Sequence, residues 1–182
     1  KGWMGQLIEV ALGATAGTQA IPDFPQLGVE LKTIPVNTKH APLESTYVCT
    51  VNMTETPLPW RESWAYRKLK RVLWVPVLVS SDLAISNRVV LSPILWEMDP
   101  ATEEVLRVDW EELMEMMQTG HAKNISAKYG SFLHIRPKAA SSKVLTEYTD
   151  SDGNRTKMVP KGFYLRTSFT KAILQQHSPS LS

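Results

Sequence analysis

Apolar positions recur at helical spacing near the start of the chain, where Trp3, Leu7, Ile8 and Leu12 predict a helix that ends near Gly13, with Gly17 marking a turn beyond it. Two prolines in Ile21-Pro22-Asp23-Phe24-Pro25 impose an extended or turn segment, and the alternating run over residues 28–34, bounded by Pro35, predicts a strand. Residues 46–51 read as a second strand, 61–71 as a short basic helix or loop, and the apolar run 73–79 as a buried central strand. Over residues 102–118 the apolar positions Val105, Leu106, Val108, Leu113, Met116 and Met117 fall among acids, with Gly120 beyond, which predicts a long acidic helix with a core-packed methionine stripe. Residues 131–136, stopped by Pro137, and 162–166 are short strands; 150–154 form a turn in a hairpin or long loop, and Ser168 caps a last helix through His177. A Ser-rich tail, 178–182, follows. The whole is a mixed α/β pattern without internal repeats.

At 182 residues the chain suits one domain of ordinary size, with room for two lobes around a cleft. Hydrophobic residues make up 43% and charged residues 21%, with 6 Trp, 5 Tyr and 4 Phe, which excludes bulk disorder. The best apolar run, 72–79, is far short of the roughly 20 residues a membrane span needs and contains Pro76. The lone Cys49, beside Val48 and near Val51, excludes an internal disulfide framework and a multi-cysteine zinc site; it reads as a buried thiol in a reducing cytoplasm. Net charge is only +2 but uneven, since residues 121–182 hold ten Lys/Arg against three Asp/Glu, and residues 97–115 eight acids against one Arg. The last third is therefore a candidate polyanion surface, or equally an evenly solvated basic face. Because the chain opens on Lys1 rather than Met, some preceding structure is expected to be missing.

The chemistry concentrates in Pro22-Asp23 and, after six intervening residues, Glu30-Leu31-Lys32. Alternation along a strand puts Glu30 and Lys32 on one side and sends Leu31 into the core on the other. Asp23, on the adjoining turn, can bring a second carboxylate to the same pocket. Two carboxylates and a backbone carbonyl are suitable oxygen ligands for Mg²⁺, and the lysine can hold or activate a water. Such a site suits phosphodiester hydrolysis. The plainer reading is an exposed strand with a Glu/Lys pair two apart. Glu9, on the first helix, can supply a third carboxylate or be an ordinary surface acid.

Two further groups suit nucleic acid. The stretch Trp64-Ala65-Tyr66-Arg67-Lys68-Leu69-Lys70-Arg71 interleaves four cations with two aromatics, as a phosphate-binding segment or a solvated helix face would. His134-Ile135-Arg136-Pro137-Lys138 ends a strand in cations, and Arg is the residue best shaped to read guanine through two hydrogen bonds. His40, His121, His134 and His177 show no metal-ligand spacing, and no Gly-rich phosphate loop is present.

Taken together, Lys1-Gly2-Trp3-x-Gly5-Gln6-Leu7-x-Glu9, Asp23-Phe24-Pro25-x-Leu27-Gly28-x-Glu30-Leu31-Lys32-Thr33-Ile34-Pro35, Arg136-Pro137-Lys138-Ala139-Ala140 and Gly162-Phe163-Tyr164-Leu165 closely resemble the MutH family of DNA mismatch repair endonucleases, from Lys1 to about His177. The resemblance implies a restriction endonuclease-like α/β fold, with a mixed central sheet flanked by helices and two lobes around a DNA cleft. It is one domain over 1–182, with the metal-site motifs in 1–80 and the recognition loop and last helix in 121–182. It implies Asp23 and Glu30 as ligands of Mg²⁺, Lys32 as the catalytic lysine, Glu9 assisting and Lys68 near the scissile phosphate. Arg136, Pro137 and Lys138 would form a major-groove loop, Tyr164 would sense adenine N6 methylation, and Tyr47, Lys1 and Gly2 would approach DNA. The implied activity is nicking of the unmethylated strand of hemimethylated GATC sites, activated by MutL acting with MutS, in the bacterial cytoplasm and as a monomer. The rivals are a restriction endonuclease cutting both strands at GATC and a non-catalytic methylation-reading module. The acidic helix and the last helix are candidate docking faces for MutL, although core packing explains their apolar residues equally well.

Overall fold

The computed structural model describes residues 2–15, 21–52, 58–80, 84, 87–126, 128–138 and 145–177; Lys1, Gly17, Ala139, Ala140 and the tail 178–182 lie outside the described residues. In chain order the elements are α1 (Trp3–Ala11), β1 (Glu30–Val36), β2 (Thr46–Thr50), α2 (Trp64–Leu69), β3 (Arg71–Leu78), β4 (Val89–Val90), β5 (Ile94–Glu97), α3 (Pro100–Gln118), β6 (Leu133–Pro137), β7 (Thr146–Thr149), β8 (Arg155–Met158), β9 (Lys161–Leu165) and α4 (Thr167–His177). They group into two compact units, one of Lys1–Thr46, Arg67–Met98 and Thr167–Ser182, the other of Tyr47–Tyr66 and Asp99–Arg166.

The first unit is built on β3, whose apolar run is buried because it is paired on both sides. β1 runs parallel to it, with Glu30 opposite Val72 and Lys32 opposite Trp74, while β4 and β5 pair antiparallel with it, giving a mixed sheet. Alternation separates the faces: Leu31, Val75 and Val77 pack with Ile8 of α1, and Trp74 meets Trp96, which in turn meets Phe169 of α4. Fully burying side chains such as Ile34 and Leu69 contributes about 2–3 kcal/mol each. Proline does not stop these strands. β1 continues through Pro35 to Val36 because it is an edge strand, where a missing donor is tolerated. Pro76 sits in the central strand between the residues that pair with β5 and those that pair with β4, and its carbonyl accepts from Leu91 N at 2.9 Å. The short strands β4 and β5 had no periodic signal in the sequence.

In the second unit α3 begins at Pro100, one residue after Asp99, whose carboxylate accepts from Thr102 N at 2.9 Å and Thr102 Oγ1 at 2.7 Å. Those bonds hold the Asp99 carboxyl below its ordinary pKa. The buried stripe is Leu106, Trp110, Leu113, Met114 and Met117, so Trp110 and Met114 join the core and Val108 faces solvent. β9 lies between β2 and β6, and β7 with β8 forms a hairpin whose turn is closed by Asp150 Oδ1, accepting from Asp152 N and Asn154 N. α4 starts at Thr167, which puts Ser168 inside its first turn and not at its cap.

Candidate active site and base-reading surface

Glu30 opens β1 on the face opposite Leu31, and although it is an acid it is only 2% exposed. A carboxylate so buried requires partners. Its Oε1 accepts from Lys32 Nζ at 2.7 Å, so the expected Glu30/Lys32 pair does share a pocket, and its Oε2 accepts from Lys68 Nζ at 2.8 Å. Lys68, on α2 and itself buried, also donates to the Ile21 carbonyl at 2.8 Å. Asp23 is 1% exposed; its Oδ2 accepts from Leu31 N at 3.0 Å and its backbone N–H donates to Glu30 Oε2 at 3.3 Å. The turn that brings Asp23 back to β1 is held by Phe24 N to Val29 O at 2.9 Å, with Gly28 in the left-handed region at φ 62°. Two carboxylates and two ammoniums therefore balance in one pocket.

Asp23 and Glu30 present hard oxygen donors, which suit a small divalent cation and not a soft metal. Among the described residues no group of three carboxylate, imidazole or thiol ligands forms. Glu9 follows Ile8 on α1 and is half-buried; its carbonyl accepts from Ala14 N at 2.9 Å, and the next residue, Thr15, donates to the Asp23 carbonyl at 3.0 Å. Gly2, the one described member of the Lys1-Gly2 pair, is exposed just before α1.

The cationic stretch 64–71 does not act as one patch. Lys68 turns inward to Glu30, Arg71 meets Glu97 at 3.0 Å, Tyr66 packs edge-on against Trp60 at 5.6 Å, and Arg67 and Lys70 remain exposed. The inward turn of Lys68 and the Ile21 carbonyl carried no signal in the sequence, because their contact joins positions 47 apart.

In the second unit β6 ends in Arg136 and Pro137, and Lys138 follows with its N–H bonded to the Pro160 carbonyl at 2.7 Å; all three are exposed. β9 places Tyr164 opposite His134, with the rings 6.4 Å apart, and Arg136 lies over the Tyr164 ring at 5.9 Å. Tyr47 of β2 stands edge-on to Tyr164 at 5.3 Å and beneath Lys138 Nζ at 5.2 Å. Burial, reinforced by the cations of Arg166 and Arg136, pushes the His134 imidazole down to about 4, so it is neutral at physiological pH. β6 is anchored by Asp109 of α3, which accepts from Ser131 N, Phe132 N and Leu133 N at 2.7, 2.6 and 2.8 Å. Arg166 secures the preceding turn through the Gly130 and Tyr129 carbonyls.

A buried Asp-Glu-Lys constellation at the start of an edge strand in a mixed sheet, with helices on both faces, is the arrangement of restriction endonuclease-like nucleases, which are metal-dependent. The profile of the family described as "DNA mismatch repair enzyme MutH" matches residues 12–109. Proteins named "DNA mismatch repair protein MutH" align over almost the whole chain. That of Vibrio parahaemolyticus serotype O3:K6 is 49% identical over 178 residues, covering 97% of this chain and 79% of that protein. Those of Shewanella baltica strain OS185 (97% of this chain, 79% of that protein) and Shigella flexneri (98% and 78%) are 48% and 47% identical. The chain belongs to the MutH family of DNA mismatch repair endonucleases. It is therefore an enzyme acting on DNA phosphodiester bonds, and the reading as a non-catalytic module falls away. Among the described residues no helix is long and apolar enough to cross a membrane.

Proposed function

We propose that the chain nicks the unmethylated strand of hemimethylated GATC sites in double-stranded DNA, with Mg²⁺ held by Asp23 and Glu30. The observation that carries the chemical half is the buried Asp23-Glu30 pair, with Lys32 on one Glu30 oxygen and Lys68 on the other. When bound, the cation supplies a lowered water pKa and charge compensation at the phosphate. Lys32, 11% exposed, reaches solvent from its Glu30 contact and orients the attacking water. Lys68 compensates charge near the scissile phosphate, and Glu9 assists from α1. Water oxygen bonds to phosphorus, the P–O3′ bond breaks, and the products carry a 5′-phosphate and a 3′-hydroxyl.

Reading is assigned to the second unit. Arg136, Pro137 and Lys138 contact base edges in the major groove, Tyr164 senses N6 of adenine and Tyr47 supports it, while Lys1 and Gly2 of the first unit approach DNA. A methyl on N6 removes one donor and adds bulk where Tyr164 reads, so a closely packed ring there rejects it. The chain acts as a monomer in the bacterial cytoplasm, activated by MutL working with MutS.

Strand-resolved cleavage of a hemimethylated GATC duplex with Mg²⁺, with and without MutL, tests this beside an unmethylated duplex and the Glu30→Ala variant. Nicking confined to the unmethylated strand, stimulated by MutL and lost in the variant, is the expected result. Double-strand cutting indifferent to MutL would instead identify a restriction enzyme.

A further inference from the structure

We propose that Thr50 is a positioning residue that sets base specificity without itself touching DNA; this rests on the reading that Lys138 contacts bases. Thr50 ends β2, and its Oγ1 accepts from Lys138 Nζ at 2.6 Å while sharing a hydrogen bond with Tyr47 OH at 2.9 Å. A hydroxyl has one donor and two acceptor sites, so both bonds can exist together. The same ammonium lies over the Tyr47 ring, which abuts Tyr164. Gly162, opposite Arg136 on β9, leaves the room these rings occupy: a Cβ there would stand 3.0 Å from Tyr47 Cε2 and 3.2 Å from Tyr164 Cε2.

An exposed lysine on a free four-carbon stem samples many rotamers and serves DNA as a mobile point charge. Tied to Thr50 and seated on Tyr47, the Lys138 ammonium keeps two of its three donors for a fixed direction, as guanine O6 and N7 require. Ordering the side chain before DNA arrives removes that entropic cost from the correct complex. Thr50 therefore acts through Lys138.

The test compares wild type, Thr50→Val and Thr50→Ser for nicking and binding of a GATC duplex and of duplexes with one base pair of the site changed. Val keeps the shape and suits a strand, and Ser keeps the hydroxyl. Thr50→Val should lower the ratio of cognate to altered-site nicking on the order of tenfold. Non-specific binding and its salt dependence should stay as in wild type, because Lys138 keeps its charge. Thr50→Ser should restore the ratio, and Thr50→Val should add nothing further in a Lys138→Ala background. Unchanged discrimination in Thr50→Val, or an equal loss on every duplex that Ser does not rescue, would overturn the proposal. A wild type without discrimination would remove the base-reading assignment itself, and the role of Thr50 with it.

Discussion

Lys68 meets Glu30 at 2.8 Å across 38 positions of sequence, and both groups are buried. The pair joins α2 to the first residue of β1, so one contact fixes both a backbone junction and the charge balance of the Asp23–Glu30 pocket. Burial makes each charge depend on the other, since neither has enough water to be solvated alone.

Lys68→Met should therefore destabilise the metal-free protein by about 3 kcal/mol. Lys32 still pairs Glu30, which limits the loss, but the Ile21 carbonyl forfeits its donor. Urea unfolding in the presence of a chelator measures this. A loss under about 0.5 kcal/mol would mean that Lys68 is not held as a buried ion.

Asp109→Ala should cost about 3–5 kcal/mol, because three backbone N–H groups at the entry to β6 lose one carboxylate. Asp109→Asn should recover part of it, as the amide oxygen still accepts. Denaturant midpoints of the two variants give the comparison, and hydrogen exchange at residues 131–133 should rise in both.

His134 titrates near 4 when folded and near 6.5 when unfolded. Between those values the unfolded chain binds the extra proton, so stability rises with pH. The contribution is complete above about pH 6.5 and is lost as pH falls toward 4, and for a partly screened site it is on the order of 1–2 kcal/mol. Unfolding free energies from pH 7 to 4.5 should fall less steeply in His134→Gln than in wild type.

Local pattern was enough for most elements. Alternation in residues 28–34 gave β1 and placed Glu30 and Lys32 together, the apolar run gave β3, and the spacing around Leu113 gave α3, because each signal lies within a few residues. Pro35 misled as a stop, since whether a missing donor matters depends on which strand lies alongside. β4 and β5 were illegible for the same reason: strands of two and four residues exist only through their partner β3.

The acidic pair and its neighbouring lysine belong to the sequence itself, whose order along one strand leaves little freedom in where the side chains point. What tertiary packing alone settled is which distant groups complete them. Lys68, which residue type alone offered as one cation in a basic stretch and the family resemblance set near the scissile phosphate, became the second partner of Glu30. Thr50 came to join Tyr47 to Lys138, 88 positions away from it. Contacts across such separations depend on strand order and helix packing, which no local pattern encodes.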